Sequence, residues 1–171
     1  MAILILVGYM GSGKTTFGRK IAKQLQYEFI DADEAIESKY KLKIQDIFKQ
    51  FGESHFRKLE TKLIEDLTGK ENIVLSTGGG MPCFGNNMEL LNQLGTTIYL
   101  QRPVSELVHR LLHAKKPRPL IAGKTEDELV QFVERTLAER EKYYRQAQWI
   151  LERNQQNLLY VNTHLLPFIN V

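Results

Sequence analysis

The chain has 171 residues, 43% apolar and 25% charged, with a formal net charge of +3. That length can bury a core without disulfides or a structural metal, and the ordinary composition excludes disordered, collagen-like and coiled-coil classes. The mixed charges exclude the concentrated basic face that nucleic acid requires, although a small positive excess suits a small anionic ligand. Cys83 is the only cysteine, so no internal disulfide can form and a cytoplasmic setting is expected. We expect one domain over residues 1–171, acting as a monomer without a membrane partner.

In chain order, the apolar opening MAILILV reads as a buried strand, too short for a membrane span and without a leader's basic start. Further short apolar runs follow at 27–30, 73–75, 97–100 and 149–151. Between them, residues 14–25 place Phe17, Ile21 and Leu25 at helical spacing, and similar periodicity appears in 52–68, 86–94, 104–112 and 126–145. Strands alternating with helices predict an α/β fold: a three-layer, doubly wound, mostly parallel five-stranded sheet flanked by helices. Residues 113–125 (HAKKPRPLIAGKT) combine prolines, a glycine and basic side chains, which predicts an exposed loop. The tail from 158 places Leu158, Val161, Leu165 and Ile169 on one helical face, with a strand at 158–162 as the alternative.

Immediately after the first strand, GYMGSGKT at 8–15 fits the P-loop pattern in its required strand, loop and helix setting. Its glycines turn backbone N–H groups towards phosphate oxygens and the next helix presents its positive end. Lys14 would reach the β and γ phosphates, and Thr15 would offer a hydroxyl to Mg²⁺. ATP or GTP with Mg²⁺ is the expected cofactor pair, with Gly11, Ser12, Gly13, Lys14, Thr15 and Thr16 as its cradle.

Ligands of open parallel sheets gather beyond the carboxyl ends of the strands, so the residues that follow each strand are candidates. The second strand ends in FIDADEAIE, where Asp31 and Asp33 would share one side of an extended segment, with Asp33 free to cap the next helix. The third ends in VLSTGGG, without the aspartate that many P-loop enzymes keep there for the metal. Asp31 is expected to supply that charge, with Ser76 or Thr77 reaching the ion through water. Arg118, held extended between Pro117 and Pro119, suits a movable loop that closes over the transferring phosphate.

Six pieces in this order, GYMGSGKTT at 8–16, DADEAIE at 31–37, FRKLE at 56–60, STGGG at 76–80, RPL at 118–120 and ER at 139–140 ahead of YYR, resemble the shikimate kinase family over nearly the whole chain. The resemblance implies transfer of the γ-phosphoryl group of ATP to the 3-hydroxyl of shikimate, on the route to chorismate and the aromatic amino acids. It implies an acceptor-binding segment near 32–60 and a mobile lid near 113–125. Asp33 resembles the residue that orients or deprotonates the attacking hydroxyl, and Arg57 with Arg140 the clamp on the acceptor carboxylate. Gly79 and Gly80 resemble the backbone platform under the acceptor, Arg118 the lid arginine, and Lys14 with Thr15 the phosphate and metal contacts. Asp31 and Ser76 resemble the outer metal shell. The family's usual adenine arginine near the last strand is replaced by NQQN at 154–157, leaving Arg110 to stack on the base.

Without the resemblance, the residues specify a small polyhydroxylated anion as acceptor. A kinase for gluconate or a nucleoside monophosphate, and a non-catalytic nucleotide-binding module, are the competing readings. Retention of Lys14, Thr15, Asp33 and Arg118 together argues against the last.

Overall fold

The computed structural model describes residues 3–114 and 121–169. Five strands, β1 (Ile3–Val7), β2 (Glu28–Asp31), β3 (Ile73–Ser76), β4 (Thr96–Leu100) and β5 (Trp149–Leu151), form one sheet in the order β2-β3-β1-β4-β5. Every pairing is parallel. The central strand β1 (ILILV) is buried at all five positions, as expected of a strand covered on both faces.

Alternate strand residues feed two cores, because successive side chains point to opposite faces. Ile3, Ile5, Val7, Ile73, Leu75 and Tyr99 face one layer; Leu4, Leu6, Val74, Ile98, Leu100 and Leu151 face the other. The first layer contains α3 (Ile44–Asp66), α4 (Asn87–Leu94), α5 (Val104–Leu112) and α6 (Glu126–Tyr144). The second contains α1 (Lys14–Leu25) and the closing helical segment over residues 158–168. Val161, Leu165 and Ile169 are buried there, so the tail takes the helical alternative.

The helix α2 (Ala32–Tyr40) and the start of α3 make a satellite cluster around Ile36, Ile47, Phe56 and Leu59. Within α3, Gly52 breaks the helix with φ 81° and ψ 170°, a conformation open essentially to glycine. The turn into α6 carries a capping box, with Thr125 accepting from the Glu128 N–H and the Glu128 carboxylate accepting from the Thr125 N–H. Among the described residues, no helix is long and apolar enough to cross a membrane. Arg118 and most of the expected lid core, residues 115–120, lie outside the described residues.

Candidate active site

The carboxyl ends of β1, β2 and β3 open onto a cavity of about 330 Å³. Its walls include Gly11, Gly13, Lys14, Thr15, Asp31, Asp33, Gly79 and Arg110. Glycines at 8, 11 and 13 have φ of 143°, 81° and 100°, which lets the P-loop wrap back on itself. No side chain caps the N-terminus of α1, so its first amides remain directed towards a ligand. Lys14 is 7% exposed and its Nζ donates to the carbonyls of Gly8 (2.7 Å) and Tyr9 (2.9 Å). Ser12 is fully buried, and its hydroxyl has no hydrogen-bond partner among the described residues.

Three oxygens meet beside the loop. Thr15 Oγ1 donates to Asp31 Oδ2 at 2.9 Å and lies 3.4 Å from Ser76 Oγ. This hard, all-oxygen set fits a magnesium ion that completes its shell with water and phosphate. Among the described residues, no cluster of three histidines, cysteines or carboxylates offers a metal cage. Thr77 is spent elsewhere, since its hydroxyl donates to Leu6 O at 3.0 Å, which leaves Ser76 as the strand-end hydroxyl beside Thr15.

The expectation that Asp33 caps the helix after β2 is corrected. β2 ends at Asp31 and α2 begins at Ala32, so Asp33 is already helical. Asp31 is the cap, accepting from the Asp33 and Glu34 N–H groups with one oxygen while the other accepts from Thr15. Asp33 is thereby freed to face the cavity. Its surface remains open at the mouth, yet protein surrounds the carboxyl; burial and then the charge of Asp31 raise its pKa, against Lys14 and Arg57.

Three glycines make room for this charged group. A Cβ on Gly78 would stand 3.0 Å from Asp33 Oδ1 and 3.2 Å from Glu60 Oε1; one on Gly80 would stand 2.5–2.8 Å from the Arg57 guanidinium. A Cβ on Gly79 would meet Met10 N at 3.3 Å and Arg140 Nη1 at 3.6 Å. Arg57 donates from Nη1 to Glu60 Oε2 at 2.8 Å, and from Nε and Nη2 to Glu53 Oε1 at 3.2 and 3.0 Å. Glu60, 1% exposed, is raised from its ordinary 4.5 to about 7 by burial, with Arg57 opposing. Burial likewise pushes the Cys83 thiol up to about 11, away from a reactive thiolate. Arg140, on α6, lies over the Tyr9 ring, and Tyr144 donates to Gly79 O at 2.6 Å.

Arg110 lies across the P-loop, its Nη1 donating to Gly11 O at 3.3 Å. Sequence reasoning missed its setting. Glu106 gathers Arg102, Arg110 and Arg153, so an arginine does stand at the start of the polar turn after β5, just ahead of NQQN. The E-x-x-x-R spacing of Glu106 and Arg110 on α5 could have flagged one of these pairs. Glu60, Glu53 and Tyr9 also belong to the site, although no local sequence pattern marks them.

A family model described as shikimate kinase matches residues 10–170. A shikimate kinase of Azobacteroides pseudotrichonymphae is 44% identical over 99% of this chain and all of its own length. The crystal structure of shikimate kinase from Bacteroides thetaiotaomicron superposes with a TM-score of 0.87 at 39% identity, covering 94% of this chain and 92% of that one. Shikimate kinase from Acinetobacter baumannii, solved in complex with shikimate, gives 0.79 at 38% identity over 91% and 85%. With its P-loop, Asp33 and glycine-lined arginines joined around one sheet end, this chain belongs to the shikimate kinase family.

Proposed function

We propose that the chain transfers the γ-phosphoryl group of ATP to the 3-hydroxyl of shikimate, giving shikimate 3-phosphate and ADP. The observation that carries this reading is the single cavity in which the P-loop meets Asp33 and Gly79, with Arg57 and Arg140 packed against the same glycine turn. Phosphoryl transfer asks mainly for alignment and charge neutralisation, and the residues divide along those lines.

Lys14 and the amides of residues 11–16 hold the phosphates, and Arg110 lies where a base can stack. Arg118, outside the described residues, is assigned the stabilisation of charge on the transferring group. Thr15, with Asp31 and Ser76 through water, would hold Mg²⁺, which when bound neutralises phosphate charge. Arg57 and Arg140 clamp the acceptor carboxylate, since guanidinium groups match its planar oxygens and stay ionised. Glu60 holds Arg57 from the buried side, and Gly79 and Gly80 let the backbone and both arginines approach the acceptor closely. Asp33 accepts the hydrogen bond of the attacking hydroxyl and orients it, and its raised pKa brings it nearer to a group that can take the proton. The protein is taken to work as a cytoplasmic monomer, which a single elution position near 19.8 kDa would support.

A coupled ADP-release assay with ATP and shikimate, gluconate or AMP tests the assignment. Release with shikimate alone is expected. Equal release with gluconate or AMP overturns the acceptor, and nucleotide binding without release overturns the catalytic reading.

A further inference from the structure

Tyr9, the second residue of the P-loop motif, is 1% exposed, although a residue at this point of a phosphate loop needs no large buried ring. Its three polar connections lead to different parts of the site. The ring lies under Arg140, with the guanidinium carbon 5.8 Å from the ring centroid, within cation–π range. The phenol is hydrogen-bonded to Thr136 Oγ1, one turn before Arg140 on α6. Thr136 gives its own proton to Phe132 O at 2.7 Å, so Tyr9 is the donor in that pair. The Tyr9 carbonyl, in turn, accepts from Lys14 Nζ at 2.9 Å and from Ser12 N at 3.2 Å.

One residue therefore joins the loop that grips phosphate to the helix that carries an acceptor arginine. We propose that Tyr9 is a positioning residue that couples the two substrates: its ring seats Arg140, and its hydroxyl ties the P-loop to α6, so nucleotide and acceptor tighten each other's binding. This rests on Arg140 being a carboxylate ligand, as assigned above. Phosphate drawn to Lys14 acts on the group that holds the Tyr9 carbonyl, and a shift of the loop is passed through ring and hydroxyl to Arg140. The glycine turn lies between the same two elements: a Cβ on Gly79 would stand 3.3 Å from Met10 N, so the turn runs close against the loop, and Tyr144 of α6 donates to Gly79 O. Coupling between binding sites is reciprocal, so the factor by which a nucleotide tightens shikimate must equal the factor by which shikimate tightens the nucleotide.

The test is calorimetric titration of shikimate, with and without a non-hydrolysable ATP analogue, on the parent protein and on Tyr9→Leu, Tyr9→Phe, Thr136→Val and Arg140→Ala. Tyr9→Leu removes the cation–π seat and should weaken shikimate alone by about three- to tenfold. Its tightening by nucleotide should fall towards onefold and, by reciprocity, the KM for ATP at saturating shikimate should rise by the factor lost, while the affinity for nucleotide without shikimate, set by the loop's backbone, changes less than the affinity for shikimate. Tyr9→Phe keeps the ring, so it should retain shikimate affinity and lose tightening, and Thr136→Val should match it. These two near-isosteric variants carry the test if Tyr9→Leu does not fold. A parent protein whose shikimate affinity ignores the nucleotide overturns the coupling, as do Tyr9 variants with unchanged tightening. An Arg140→Ala protein with unaltered shikimate affinity instead overturns the assignment of Arg140 and leaves Tyr9 without its target.

Discussion

On the nucleotide side of the cavity, eight consecutive residues, 8–15, act largely through backbone amides and glycine φ angles. On the proposed acceptor side, Asp33, Arg57, Glu60 and Arg140 come from three helices, and Glu60 holds Arg57. The loop's main-chain bonds fix its shape locally, whereas the charged groups opposite meet only through the packing of separate helices, Arg57 being paired within α3 to Glu53 and Glu60 and Arg140 lying over the distant Tyr9. A backbone-built site is robust to changes elsewhere in the chain. A site built of mutually paired side chains should propagate damage: removing one alters the position or ionisation of the next.

The largest effect expected on that side comes from Asp33→Asn, which removes the carboxylate proposed to face the attacking hydroxyl while preserving its shape. We expect kcat to fall by about 10²–10⁴-fold, the range for loss of a general base, with ATP affinity retained because Asp33 is not part of the loop. Steady-state kinetics with a nucleotide titration measure both. Near-parent turnover would remove Asp33 from the mechanism, and loss of ATP binding would show that the two sides are not separable at this residue.

Gly80→Ala sharpens the comparison next. Its Cβ would sit 2.5–2.8 Å from the guanidinium of Arg57, an arginine only 13% exposed and held on both edges by Glu53 and Glu60. Arg57 must shift, and the KM for shikimate should rise by roughly ten- to a hundredfold with little change in the KM for ATP. If the variant instead weakens both substrates equally, the glycine turn serves general architecture more than the clamp.

This division also explains what could be read before the structure. The bounds of β1, α1, α5 and β5 and the content of the P-loop follow from local pattern: short apolar runs, period-3.6 spacing and a contiguous motif. β2 falls one residue later than its apolar run because Tyr27 belongs to the turn and Asp31 still pairs with Ser76. The capping role passed to Asp31 because the chain turns helical two residues sooner than an extended DAD segment capped by Asp33 would. Glu60 was invisible as a site residue for a different reason. A glutamate three residues after an arginine is ordinary surface chemistry on a helix, and only packing of α3 beneath the glycine turn buries it. The tie of Tyr9 to Arg140 spans 127 to 131 positions and follows from no local period.

The mildest expected change concerns that buried carboxylate. Glu60 is neutral more readily in the folded chain than in the unfolded one, its pKa raised from 4.5 to about 7. Below about pH 4.5 both states hold the proton and its stabilising share is complete. As pH rises towards 7 the unfolded chain releases the proton first, so the folded state loses that share progressively. Glu60→Gln cannot titrate, yet its amide oxygen can still accept from Arg57. The stability of the parent relative to Glu60→Gln should therefore fall as pH rises from about 4.5 to 7, by on the order of 2 kcal/mol. Urea unfolding of both proteins across that window measures the difference. A difference that stays flat with pH would mean that Arg57 compensates fully for the burial of Glu60, and the acceptor side would then be as self-contained as the phosphate loop.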